Sequence, residues 1–217
     1  MNKQVRETYV TSAFRLSYPA LFEAVAVMGD ETKKKFGATM LFPKKSLVES
    51  LTASGHPAAK YMAKDNCAAF YQTVCKVARA NFGPEVDLKS LKITKFRDGD
   101  KAKESGKIEE NEKGYIVART SSNEKNKPQC VDQAKKPITD AGELYPGCWV
   151  RAVLTVAPFT KPTRGVTVYL AGIQKLADDT TFSSRPRAED EFDAVAVEAV
   201  DPTGPGGVEV KEDELPF

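Results

Sequence analysis

The stretch CWVRAVLTV (148–156) sets an indole and a guanidinium two residues apart. Side chains alternate between faces in an extended strand. Cys148, Val150, Ala152, Leu154 and Val156 therefore form one apolar face, and Trp149, Arg151, Val153 and Thr155 form the other. An aromatic ring beside a cation can carry an unstacked base and neutralise its phosphate. Each base stacked on such a ring is worth about 1–3 kcal/mol. The pairing recurs along the chain. Tyr115 and Arg119 share a face of YIVARTS, Phe96 adjoins Arg97, and Lys33, Lys34 and Lys35 precede Phe36. Each also has an ordinary structural use: a Trp opening a strand fills cores, and lysine runs coat solvated surfaces.

Catalysis finds less support. The one histidine, His56, lies between Gly55 and Pro57, so no His-based triad is easily built around it. There is no glycine loop ending in Gly-Lys-Ser/Thr and no dinucleotide-binding glycine fingerprint. Carboxylates crowd the charged stretch 98–112, where a solvated surface is expected; a metal-dependent nuclease stays open as an alternative. Cys67, Cys75, Cys130 and Cys148 have neither zinc-site spacing nor histidine neighbours. The start MNKQVRETYV has no apolar leader, and AVAV (24–27) is far too short to span a bilayer. A cytoplasmic protein with reduced thiols, no metal, no cofactor and no enzymatic activity is expected.

The elements that must position these residues are mostly short strands. Residues 5–28 read as a strand, a turn at Pro19 and a short second element; 33–43 read as another strand. Ser46 can cap a short helix ending at Gly55, and Pro57 opens a longer one running to about Phe82. Short strands follow at 91–96, 115–122 and 129–132. The strongest pair, 148–159 and 165–176, flanks KPTR at hairpin distance. From Ala177 onward the hydrophobic periodicity is lost. The expected architecture is mainly β with an inserted helical segment at about 46–82. A five-stranded Greek-key barrel, the OB-fold, leads, occupying residues 1–177. A sandwich, or an α+β sheet with a helical layer, would produce much the same string.

Charge is segregated. Residues 189–217 hold ten acids and one base, a net charge of −9, whereas residues 1–188 hold 31 bases and 20 acids, a net charge of +11. A basic body joined to an acidic tail points to a polyanionic partner. The composition of 178–217 predicts a flexible, disordered acidic tail. That tail closes on EDELPF: after Glu212 come Asp213, Glu214, Leu215, Pro216 and Phe217.

This ending resembles the acidic tip of bacterial single-stranded DNA-binding proteins, a run of Asp followed by Ile-Pro-Phe. Leu215 replaces the Ile; Pro216 and Phe217 match. The body, with its helical insertion, looks more like the phage-encoded OB-fold single-stranded DNA-binding (helix-destabilising) proteins. ELYPGCWVRA and VYLAGIQKLAD are similar to that group. The resemblance implies a sequence-independent binder of single-stranded DNA acting in replication, recombination or repair. Its tail would compete with DNA, and its tip would recruit replication or recombination proteins. Self-association into homo-oligomers is compatible with this reading. A phage structural or assembly protein with an acidic docking tail is the alternative.

Overall fold

Two fourteen-residue strands dominate the computed structural model, which describes residues 4–27, 29–63, 67–102, 106–107 and 109–182. Strand β1 (Glu7–Val10) leads into β2 (Phe14–Val27), which turns at Gly29 into β3 (Asp30–Pro43). Pro19 does not end the strand as the sequence suggested. It sits with Tyr18 in a bulge between the pairs Ser17↔Thr39 and Ala20↔Gly37, where its missing N–H interrupts no ladder bond.

Helices α1 (Lys45–Ala53) and α2 (Ala68–Phe82) follow β3. The expected continuous helix from Pro57 is absent: a 3-10 turn at Ala59–Tyr61 gives way to extended backbone at Met62. The Tyr61 carbonyl is taken by the Ala13 N–H at 2.9 Å, which ties this segment to the β1–β2 junction. Nor does Ser46 cap α1. Lys44 occupies that position without a side-chain cap, its ammonium instead held by Asp98 and Asp100.

Short strands β4 (Lys92–Ile93) and β5 (Phe96–Asp98) precede β6 (Tyr115–Asn123) and β7 (Gln129–Val131). The long pair β8 (Trp149–Phe159) and β9 (Gly165–Ala177) completes the set. The sheet order is β4-β9-β8-β2-β3-β6-β5, with β1 also on β8 and β7 on β9. Its two ends, β4 and β5, are halves of one segment, 92–98, so the sheet returns on itself. Alongside that bridge β6 meets β9 through a hydroxyl, Thr120 Oγ1 donating to Val168 O at 3.2 Å. Five long strands thus close a partly open Greek-key barrel, the OB-fold, rather than a sandwich or a layered sheet.

The main core fills this barrel. Phe14, Leu16, Met40, Phe42, Leu154 and Leu170 meet Phe70, Val74 and Val77 of α2. Phe70 anchors the helix, stacked on Tyr9 at 5.6 Å and edge-on to Phe96 at 5.0 Å. A second cluster lies elsewhere: Trp149, Tyr115, Leu41 and Leu176, covered by Leu47 and Leu51 of α1, Tyr61 and Phe182. The chain stays packed beyond the boundary expected at Ala177. Phe182 N–H donates to Pro146 O at 2.9 Å, and its ring lies 4.3 Å from the Arg15 guanidinium. Among the described residues no helix is long and apolar enough to cross a membrane. The rest of the predicted tail, with Lys103 of the charged loop, lies outside the described residues.

Candidate nucleic-acid interface

A groove of about 1030 Å³ runs over β3 and β6. Phe36, Gly37 and Thr39 from β3 and Val117, Arg119 and Ser121 from β6 supply its floor. Tyr18, Val25 and Val27 of β2 stand on one side. Thr94, Lys95 and Arg97 of the bridging segment, with Thr167 of β9, stand on the other. Gly37 lets β3 lie close against β6 here, because a Cβ there would come within 2.9 Å of the Thr120 carbonyl.

Among the described residues, four cations line the groove, Lys35, Lys95, Arg97 and Arg119, and no carboxylate does. Lys35, Lys95 and Arg119 are exposed and have no carboxylate partner among the described residues. Arg97 is held by the buried carboxylate of Glu112, which fixes where its guanidinium stands. Unpaired cations over a mostly apolar floor attract a polyanion that also carries flat apolar groups.

The sequence candidates are placed unevenly. Arg119, Arg97 and Lys35 come together in the groove. Lys33 and Lys34 sit in the adjoining hairpin arm, paired with Asp30 at 2.6 Å and Glu31 at 3.0 Å. Trp149 is a correction. It is 1 % exposed, its indole N–H donates to Asp179 at 2.7 Å, and no base can reach its face. Tyr115 is buried in the same cluster, where burial pushes its hydroxyl pKa up. Strand alternation put Trp149 on the less apolar face of its strand and Tyr115 on the face of Arg119, but Leu47 and Leu51 of α1 and Phe182 cover the cluster in which both rings lie. Phe96 turns toward α2, edge-on to Phe70 and to Tyr71 at 5.5 Å. Arg151 lies outside the groove, donating to Gln174 at 2.8 Å with its guanidinium 5.0 Å from the Tyr61 ring. Asp213, Glu214, Leu215, Pro216 and Phe217 lie outside the described residues.

Sequence reasoning missed Tyr18, Lys95 and Gly37. Tyr18 was hidden in an apparent turn, although an aromatic before a proline within a β-rich run is a bulge signal. Lys95 breaks the alternation of LKITKF, and that break marks where the segment crosses from β9 to β6.

The groups suited to catalysis are dispersed or inert. Burial pushes the thiols of Cys67 and Cys148 up to about 12, so they are protonated near neutrality. His56 accepts from the Ala58 N–H at 3.2 Å and faces Asp179 at 3.7 Å, beside Trp149 rather than beside a nucleophile. Among the described residues no cluster of three His, Cys, Asp or Glu side chains could hold a metal ion.

The chain is 26% identical over 188 residues to a protein designated p50 of Acyrthosiphon pisum secondary endosymbiont phage 1, covering 84% of this chain and 91% of that one. Its fold is similar to that of the single-stranded DNA-binding protein from bacteriophage Enc34, solved in complex with ssDNA. The TM-score is 0.57 at 19% identity, over 81% of this chain and 89% of that one. A second structure of the Enc34 protein gives a TM-score of 0.54 at 19% identity, over 86% and 90% of the two chains. The family described as "Enterobacter phage Enc34, ssDNA-binding protein" matches residues 7–201, and the chain belongs to that family.

Proposed function

We propose that this protein binds single-stranded DNA, without sequence preference, in the groove over β3 and β6. The observation that carries this reading is the set of four groove cations, three of which, Lys35, Lys95 and Arg119, have no carboxylate partner among the described residues. Lys35, Lys95 and Arg119 neutralise successive phosphates, and Arg97, oriented by Glu112, takes a fixed one. The apolar floor accepts base faces, which every nucleotide offers, so affinity is sequence-tolerant. The neighbouring solved structure that holds ssDNA supports the same ligand.

The finer part of the proposal concerns residues 189–217. At a net charge of −9 beside a body of +11, they compete with DNA for the groove. A coil of 29 residues reaches roughly 30 Å, enough to span a small domain. DNA binding releases the tail. Asp213, Glu214, Leu215, Pro216 and Phe217 then dock on a replication, recombination or repair protein. In this docking mode Phe217 fills an apolar pocket of the partner.

Fluorescence anisotropy of labelled oligo-dT, measured at several salt concentrations, tests the reading. Salt-dependent binding that weakens when Lys95 and Arg119 are both changed to Ala supports it. Binding unaffected by that double change removes the groove from consideration.

A further inference from the structure

Of the three exposed aromatic rings among the described residues, Tyr18, Tyr71 and Tyr169, Tyr18 alone lines the groove. It is also 62% exposed, more than either of the others. Its backbone is unusual: φ is 45°, in the left-handed region that L-residues other than Gly, Asn and Asp seldom enter. Tyr18 also precedes Pro19, and the ring of a following proline drives a residue toward extended backbone. Two sequence rules therefore oppose the conformation that the chain adopts.

The bulge explains how it is held. Ser17 pairs with Thr39 and Ala20 with Gly37, so Tyr18 and Pro19 together oppose Ala38 alone. Ser17 is buried on one side and Leu21 on the other, which clamps both ends of the two-residue excursion. A bulge of this kind re-aims one side chain without disturbing the strand on either side. Here the side chain lands at the groove's lip, opposite Lys95 and Arg97. The exposed ring gains little burial in return for the strained backbone. Strain that is not repaid in the folded protein collects at ligand sites.

We propose that the Tyr18 bulge is a preformed base-stacking platform, holding one base of the strand whose phosphates Lys95, Arg97 and Arg119 neutralise. This rests on the single-stranded DNA reading of the groove. It adds the residue that grips a base rather than a phosphate. Because the backbone is fixed before DNA arrives, the ring loses little freedom on binding.

The test uses the full chain and labelled oligo-dT of about 12 nucleotides, within the roughly 4–16 that one OB-fold covers. Tyr18→Ala should weaken binding roughly 5- to 150-fold with an unchanged salt slope, since a stacked base is lost and no phosphate contact is. Tyr18→Phe should bind within about twofold of the parent, because the ring and not the hydroxyl carries the contact. Tyr18→Gly should bind as weakly as Tyr18→Ala yet melt about 2–4 °C above it, as glycine alone relieves the positive φ. The proposal is overturned by wild-type affinity in Tyr18→Ala, or by a Tyr18→Phe loss equal to that of Ala. In either case salt-dependent binding by the parent would leave the groove reading standing. A parent that does not bind oligo-dT sinks both.

Discussion

Strand alternation offered both Trp149 and Arg119 as outward-facing candidates, and their fates differ because different elements lie over them. Trp149 meets α1, Tyr61 and Phe182 and gives its one N–H to Asp179; Arg119 meets the open groove. The two substitutions should therefore separate stability from binding. Trp149→Ala leaves a cavity and should cost about 3–5 kcal/mol in urea denaturation, with oligo-dT affinity unchanged for the folded fraction. Arg119→Ala, at an exposed site, should shift stability by no more than about 0.5 kcal/mol. It should lower the salt dependence of log K by about 0.7, the share of one phosphate on a single strand. Loss of DNA binding in folded Trp149→Ala would return that residue to the interface.

Two short segments decide whether the barrel holds its shape. The strap 178–182 ties the end of β9 to the second core. Tyr145 hydroxyl donates to the Asp179 carbonyl at 2.9 Å, and the buried Arg15 donates to Gly147 O at 2.8 Å and to Thr180. Burial tends to raise the Asp179 pKa, but hydrogen bonds from Trp149 and Thr180 and the charge of Arg15 outweigh it, holding the carboxyl below the usual aspartate value. A depressed carboxylate contributes stability above its unfolded pKa and loses it as pH falls through the folded value. Thermal melts of the wild type should accordingly fall off more steeply than those of Asp179→Asn once the pH drops below about 4. Parallel curves would show that Asp179 is not coupled to folding. The bridge 92–98 is the other segment. A Cβ at Gly165 would lie 2.1 Å from Lys92 O and 2.5 Å from the Phe159 ring. Gly165→Ala should cost about 1–3 kcal/mol or more through overpacking. Hydrogen exchange should also speed up at Lys92 and Ile93, which pair with Gly165 and Val166.

For the molecule as a whole, the proposed competition between tail and DNA makes binding depend on salt. Four groove cations imply a slope of about −2.8 in log K against log salt on single-stranded DNA. Changing Lys95 and Arg119 together should bring that slope to about −1.4. Deleting 189–217 removes a charge of −9 and should tighten oligo-dT binding at low salt, the gain fading as screening shortens the reach of the tail's charge. If the proposed docking holds, the same deletion should abolish recruitment of a replication, recombination or repair protein. Unchanged or weaker DNA affinity at low salt would count against competition by the tail.

Composition and order along the chain determined much of this: the segregation of charge and the β-rich body interrupted by helix between β3 and β6. These are sums and periodicities of neighbouring residues, which local physics reads directly. Arg97, Arg119 and Lys35 were legible for a related reason, since a base flanked by strand residues has few places to go but outward. Only the tertiary structure decided which outward faces stay open. The second face of β8 near Trp149 is covered by α1 and by the strap, elements about 100 residues before it and 30 after. Tyr18 was misread in the opposite sense, as part of a turn, because the bulge that exposes it depends on register against β3. Burial and register are set between segments distant in sequence, and a pattern confined to one strand carries no record of them.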